Sequence, residues 1–173
     1  LAGDLSAERI AWYRDTLTAG AEAAGRELPA GFPVWGLLRT CVDADPEYAL
    51  DRAAPALAAA ANHAYRGGFD HTGLDADTQD RIGALRADYR VAAHNDFAAD
   101  RDGVNPNGAL VRRLGLGGPL ADRFGLVGDV GRCAERLRAL ESAGLDHLVI
   151  RPVTTEPLNF LARWADVLDE FGR

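Results

Sequence analysis

Apolar side chains recur at helical spacing in the first 25 residues of the chain. Between Ser6 and about Gly25 they fall every three or four positions, which makes one apolar stripe and predicts an amphipathic helix. Ser6 is suited to cap the start of this helix, and Gly25 is suited to end it. The stripe consists of Ile10, Tyr13, Leu17, Ala21 and Ala24.

The next apolar run, residues 34–42, has no helical period. It is apolar at nearly every position, and Arg39 is its charged interruption. Such a run is typical of a strand buried on both faces of a parallel sheet. Asp45 and Pro46 then favour a helix start, because aspartate caps helices well and proline fits the first helical position. The strand and the helix are therefore predicted to form one β/α unit.

The middle third of the chain is less regular. A helix predicted from Asp75 to about Phe97 is followed by an aperiodic loop and by short helical turns at 109–114 and 120–123. Residues 67–123 are therefore predicted to be an insert between two β/α units. Inserts of this kind commonly build lids or the walls of substrate pockets.

Residues 124–152 contain the second β/α unit. A short apolar segment leads to a tight turn at Gly128, and an amphipathic helix follows that Gly144 ends. Residues 145–150 are predicted to be the second buried strand, with Arg151 just past its end. The final helix is predicted to bury Leu158, Leu161, Trp164, Val167, Leu168 and Phe171.

These elements predict a helix-rich α/β fold that is incomplete. Two strands buried on both faces cannot pair their own outer edges or cover their own apolar surface, and parallel sheets normally contain more strands. The chain also lacks methionine and begins with Leu1. We therefore expect residues 1–173 to be a single incomplete domain, divided into 1–66, 67–123 and 124–173.

Composition narrows the expected partners and compartment. The net charge of -7 argues against nucleic acid or an anionic membrane as a partner, and no apolar run is long enough for a membrane helix. Cys41 and Cys133 do not form a disulfide framework, so we expect two buried thiols in a reducing cytoplasm. The four histidines have no metal-ligand spacing, and no metal site is expected. Neither a serine-hydrolase nucleophile elbow nor a P-loop lysine is present.

The stretch from Asp122 to Pro152, DRFGLVGDVGRCAERLRALESAGLDHLVIRP, resembles the C-terminal part of the luciferase-like monooxygenases, especially their coenzyme F-420-dependent oxidoreductases. That family typically has an apolar segment ending in Gly-Thr-Pro-Glu-Glu, a helix containing Glu-Arg-Leu, and a strand beginning Gly-Val/Ala-Asp-His/Glu. The chain departs from it at 129–132, where Asp-Val-Gly-Arg replaces Thr-Pro-Glu-Glu. The matching residues are Phe124, Val127, Gly128, Glu135, Arg136, Leu137, Ala143, Gly144, Asp146 and His147.

The resemblance implies the C-terminal part of a (β/α)8 TIM-type barrel: its last two β/α units plus a helical insert. The cofactors of this family, the deazaflavin coenzyme F-420 or alternatively FMN, carry phosphate. Barrels of this type often bind phosphate at the loops after the seventh and eighth strands. The resemblance thus implies that Arg39, Thr40 and Arg151 bind the cofactor, together with the backbone at Gly128 beside a helix start.

Other interpretations of these residues stay open at this point. Arg39 and Arg151 would be structural if each paired with a nearby carboxylate. The carboxylate of Asp129 would repel an anion at the Gly128 turn, which favours a helix cap there. His94 would either line a substrate pocket or lie at the surface, and the surface position is preferred.

The function implied by the resemblance is that of the C-terminal part of a flavin- or deazaflavin-dependent oxidoreductase. Such an enzyme transfers a hydride between its cofactor and a small organic substrate. The expected partner is the preceding part of the barrel, which would carry the catalytic residues, so we expect the 173-residue chain alone to be inactive. A homodimer is also considered. The competing hypothesis is a non-catalytic helical module that binds a partner chain through unpaired strand edges.

Overall fold

The computed structural model describes residues 3–94 and 105–173, and the predicted loop and helix end at 95–104 lie outside these ranges. The elements alternate between helix and strand, with several helices between the first two strands. They are α1 (Ala7–Ala23), β1 (Trp35–Val42), α2 (Pro46–Ala64), α3 (Ala76–Asp88), a 3-10 turn (Val91–Ala93), α4 (Pro106–Arg113), α5 (Gly117–Phe124), β2 (Gly125–Gly128), α6 (Val130–Ser142), β3 (His147–Pro152) and α7 (Pro157–Phe171).

Side-chain caps start the helices where the sequence predicts them. The Ser6 hydroxyl accepts a hydrogen bond from the backbone N–H of Arg9 at the start of α1. Asp45 caps α2 and Asp129 caps α6 in the same way, through backbone N–H groups of the first turn. These caps satisfy N–H groups that have no partner within the helix.

The third helix is shorter than the predicted span from Asp75 to about Phe97. It ends at Asp88, and Tyr89 already has an extended backbone. The reason is a contact that is distant in sequence: the Asn107 side chain accepts from the Arg90 N–H (2.8 Å) and donates to the Arg90 carbonyl (3.0 Å). This double hydrogen bond uses the backbone groups that a longer helix would need.

Within the described residues the sheet has three parallel strands in the order β2-β1-β3, so the prediction of two strands is wrong. The additional strand, β2, was predicted only as a short apolar segment. It has four residues between a helix end and a helix cap, which is too short for a periodic pattern to reveal it. It pairs with β1 so that Gly125 lies opposite Arg39.

The second predicted strand is displaced and less buried than expected. β3 begins at His147 and includes Arg151, so this arginine lies inside the strand and not beyond it. The strand is at the edge of the described sheet, and its residues are exposed or only half-buried. The cause is the position of α2, which packs on β1 and β2 and leaves one face of β3 largely uncovered.

Apolar side chains form two cores, one on each face of the sheet. Leu38 and Val42 of β1 pack with α1, α6 and α7, whereas Cys41 faces α2 to α5 on the other side. This layered arrangement confirms the α/β prediction. In a (β/α)8 barrel each strand lies beside the next strand along the chain. Here β1 lies between β2 and β3, so these two consecutive strands are not neighbours. The described sheet by itself therefore does not show the predicted barrel.

The last helix is less buried than predicted. Val167 is buried and Trp164 half-buried against α6, but Leu158, Leu161 and Leu168 are exposed. These three leucines lie on one outward stripe of α7, because the described elements that pack against α7, which are α6 and β1, cover its other side. Trp35, which also fits a core position by its spacing, is exposed at the first residue of β1 and contacts the His147 ring in a tilted arrangement (4.4 Å between ring centroids).

A buried ion pair holds the segment before α1 against the middle of the chain. Arg123 donates to the Asp4 carboxylate (2.9 Å) and to the Thr72 carbonyl (2.7 Å), and the Tyr65 hydroxyl also donates to Asp4 (3.0 Å). The side chains of Asp4 and Arg123 are 3% and 12% exposed. A charge left alone at this position would be strongly unfavourable.

We predict that Asp4→Asn lowers the free energy of unfolding by about 3 kcal/mol, because Arg123 then keeps a buried and uncompensated charge. The control is Asp88→Asn at the exposed pair with Arg113, where the expected loss is below about 1 kcal/mol. Urea denaturation measures the free energy of unfolding of both variants. Equal losses in the two variants would show that the buried pair has no special role.

A second prediction concerns the two free thiols. Burial, the largest cause, raises the pKa of Cys41 to about 11 and that of Cys133 to about 12, so both are neutral in the folded chain. An unfolded thiol ionises near pH 8.5, and the free energy of unfolding should therefore fall by about 2.7 kcal/mol between pH 7.5 and 9.5, about 1.4 kcal/mol for each thiol. Urea denaturation of Cys41→Ala/Cys133→Ala should show a flatter pH profile; an unchanged slope would contradict the assignment to the thiols.

Candidate functional site

Arg39 and Arg151 lie side by side on one face of the sheet. They occupy paired positions of β1 and β3, and because side chains alternate along a strand, both point towards the α2 side. The structure therefore brings together two of the residues that the sequence analysis selected. Neither side chain forms an ion pair with a described residue, so the alternative of pairing with a carboxylate has no support within these ranges.

Arg39 is in an electrostatically unfavourable position. Its Nε is buried and has no hydrogen-bond partner among the described residues. Burial lowers the pKa of the Arg39 guanidinium, and the positive charge of Arg151 lowers it further. Arginine nevertheless stays charged at neutral pH, so this side chain holds an unpaired charge with a free donor.

The two arginines line a cleft of about 450 Å³ between the sheet and α2. Arg66, which follows α2, adds a third guanidinium, and Asn62 and His63 lie on the last turn of α2. None of the described lining residues is acidic. The sequence analysis missed Arg66, although it follows Ala56, Ala59 and Asn62 at spacings of three and four on the same face of α2.

Tyr89 and His94 form a hydrogen-bonded pair at this cleft. The Tyr89 hydroxyl lies 2.6 Å from His94 Nδ1. Burial raises the pKa of Tyr89, so the phenol keeps its proton at neutral pH and is able to donate to this nitrogen. His94 is exposed, as the preferred surface position expects, and it also lines the mouth of the cleft.

Thr40 and Gly128 lie apart from the arginine pair. Thr40 is fully buried on the opposite face of β1, where its hydroxyl donates to the Leu38 carbonyl (3.5 Å). Gly128 ends β2 with a φ of 136°, a conformation that favours glycine, and its carbonyl accepts from the Asp43 N–H (3.0 Å). The Asp129 side chain accepts a hydrogen bond from the Arg132 N–H and so caps α6 at this turn, which is the helix-cap interpretation of the sequence analysis.

Two further features of the described ranges bear on possible functions. Within residues 3–94 and 105–173, no group of three or more histidine, cysteine, aspartate or glutamate side chains is arranged to hold a metal ion. No helix in these ranges is long and apolar enough to cross a membrane.

We predict that Arg39→Met stabilises the chain, raising the free energy of unfolding by on the order of 1 kcal/mol, because it removes a partly buried donor that has no partner. Arg123→Met is the matched comparison, since that arginine is paired with the buried Asp4, and it should destabilise the chain instead. Urea denaturation gives both values. A loss of stability in Arg39→Met would mean that this side chain has a structural role.

Comparisons with known proteins bear on the family and on the fold. The chain matches no curated protein. Among solved structures it is similar to the coenzyme F-420-dependent tetrahydromethanopterin reductase from Methanopyrus kandleri, with a TM-score of 0.55 and 15% sequence identity. The match covers 98% of this chain and 41% of the reductase, so the chain spans well under half the length of that protein. At this identity the similarity shows the fold alone.

The match to a family model identifies the family, which a structural similarity at 15% identity does not. The model of the luciferase-like monooxygenases matches residues 1–147, which include β1, the whole insert, β2 and α6. The match thus covers most of the chain, well beyond the closing stretch that carries the clearest resemblance. The chain belongs to the luciferase-like monooxygenase family.

Proposed function

We propose that the chain is part of a flavin-type oxidoreductase and that its arginine cleft binds the negatively charged tail of the cofactor. The proposed cofactor is coenzyme F-420, with FMN as the alternative. The observation that carries the proposal is the pairing of Arg39 and Arg151 on neighbouring strands without a carboxylate partner among the described residues. Membership of the luciferase-like monooxygenase family supplies the redox class.

The described residues fit the anionic part of such a cofactor. The buried Nε of Arg39 needs an acceptor, and the cleft is lined by three arginines with no acidic side chain among the described lining residues. Guanidinium groups bind phosphate and carboxylate oxygens through forked pairs of hydrogen bonds. A bound flavin or deazaflavin would supply the hydride chemistry, while these side chains would bind its tail and fix its position.

Tail binding is proposed for this chain, and hydride transfer is proposed for a complete family domain. The chain corresponds to 41% of the reductase with the similar fold. For that complete domain we also propose a small organic substrate and a partner segment that lies beside β3.

The alternative function, a non-catalytic module that docks a partner chain, has one observation in its favour. The outer edge of β3 has no neighbouring strand in the described sheet, and Val149 of that strand is exposed. Open strand edges readily pair with another chain. This function accounts for the edge but not for the unpaired arginines of the cleft, whereas cofactor binding accounts for the arginines.

Cofactor titration tests the proposed function. We predict that the chain quenches the fluorescence of coenzyme F-420 or of FMN on binding, and that Arg39→Gln and Arg151→Gln each weaken binding about tenfold or more. This estimate follows from the loss of one charge-assisted interaction per variant.

The matched control is Arg26→Gln, which removes an exposed arginine far from the cleft lining and should leave the dissociation constant unchanged. Circular dichroism verifies that each variant is folded. Failure of both cofactors to bind the unaltered chain, or equal effects of all three substitutions, would contradict the proposal.

A further inference from the structure

We propose that a crevice between the carboxyl ends of β1 and β3 binds the head group of an α-amino acid, in which an ammonium and a carboxylate are attached to the same carbon. None of the described residues that line this strand-end crevice also lines the arginine cleft. The inference therefore goes beyond the proposed function, because it assigns a second site and a second class of ligand.

The position of the strand-end crevice in the sheet is the first observation. The described strands have the order β2-β1-β3, so the chain passes from β1 to a neighbour on one side and later to a neighbour on the other side. The loop after β1 leads to α2 on one face of the sheet, and the loop after β3 leads to α7 on the opposite face. Open α/β sheets bind ligands outside the carboxyl ends of their strands at such a switch in direction.

The charges of the crevice are the second observation. Asp43 directly follows β1, Arg52 lies in the second turn of α2, and Glu156 directly precedes α7. These three side chains form no ion pair with one another or with any other described residue. Opposite charges thus line one small crevice without compensating each other.

The buried Cys41 thiol, which also lines the crevice, is affected by both signs of charge. Burial is the main cause that raises the pKa of Cys41 to about 11, while the charge of Arg52 lowers this pKa and that of Asp43 raises it. Arg52 and Asp43 therefore act on the same point in the crevice although they do not pair with each other. A ligand that lies between them would contact both charges.

A ligand that carries both charges matches this arrangement, whereas an ion of one sign does not. An anion at Arg52 would face the carboxylates of Asp43 and Glu156, and a cation beside these carboxylates would leave Arg52 uncompensated. An amino-acid head group gives the guanidinium a carboxylate, which it binds through two parallel hydrogen bonds, and gives the two acidic side chains an ammonium with three donors. The crevice has a volume of about 80 Å³, which suits a small head group and is far below the size of a site for a whole cofactor.

The aromatic side chains at the crevice indicate what kind of amino acid it would hold. Phe160 of α7 is buried at the crevice lining, and Tyr48 of α2 is exposed there. Aromatic side chains bury large apolar areas and pair favourably with other aromatic rings. We therefore expect an amino acid with an aromatic side chain.

Three probes that share a phenyl ring test the requirement for both charges. At pH 7, L-phenylalanine carries an ammonium and a carboxylate, phenethylamine carries only the ammonium, and 3-phenylpropionate carries only the carboxylate. Isothermal titration calorimetry of the unaltered chain should show at least about tenfold tighter binding of phenylalanine than of either analogue, because each analogue loses a charge-assisted interaction. Equal affinity of phenylalanine and either analogue, or no binding of phenylalanine, would overturn the inference.

Two substitutions assign the charges of the ligand to residues of the crevice. Arg52→Gln should remove most of the preference for phenylalanine over phenethylamine, and Glu156→Gln should reduce the preference over 3-phenylpropionate severalfold. The matched controls Arg26→Gln and Glu22→Gln remove exposed charges outside the crevice lining and should leave both ratios unchanged. Each ratio compares two ligands on the same variant, so a partly unfolded variant does not alter it. Equal effects of the crevice and control substitutions would contradict the inference, because phenylalanine would then bind elsewhere.

Competition with FMN separates this inference from the proposed function. Saturating phenylalanine should leave the affinity of the chain for FMN unchanged, because the crevice and the arginine cleft share no described lining residue. Displacement of FMN by phenylalanine would overturn the inference, since both ligands would then occupy the arginine cleft. Failure of FMN and coenzyme F-420 to bind would contradict the proposed function alone, and the comparison of the three probes would still decide the inference.

Discussion

The central strand β1 contributes side chains to two cores, one on each face of the sheet, and the rest of the described structure depends on this constraint. Leu38 and Val42 pack on the side of α6 and α7, and Cys41 packs on the side of α2. β1 is also the strand of the described sheet with a neighbour on each edge. One residue breaks this pattern: Arg39 places a charge on a face where the sequence otherwise supplies apolar groups. Local violations of this kind are expected at functional sites.

Short-range features of the fold could be predicted from sequence, and features set by distant contacts could not. The starts of α1, α2 and α6 follow from the caps at Ser6, Asp45 and Asp129, which act within four residues. The early end of α3 depends on a side chain far along the chain, and β2 is too short to show a period. Leucine spacing alone predicts burial for α7, but the described elements α6 and β1 cover only one side of this helix and leave its outward leucines exposed.

The residues of the candidate site also fall into two groups, those that the sequence could predict and those that depend on distant contacts. Arg39 and Arg151 stand out in sequence because each is a charge in or beside an apolar run, and the parallel register brings them together. Arg66 and His94 come from a helix end and from the insert, so only the fold shows that they share a cleft with the arginine pair. Thr40 is adjacent to Arg39 in sequence but faces the opposite core, because neighbouring side chains of a strand point to opposite faces. The chain belongs to the luciferase-like monooxygenase family, and the role of the cleft in cofactor binding is a proposal that its unpaired positive charges support.

The central claim is that Arg39 and Arg151 together hold the anionic group of a ligand. A crystal structure of the chain with FMN tests it most directly, because it locates the phosphate without reference to activity. The account predicts phosphate oxygens at about 2.7–2.9 Å from guanidinium nitrogens of both arginines, including the buried Nε of Arg39. A phosphate bound elsewhere, or an Arg39 side chain paired with a carboxylate of the chain, would contradict it.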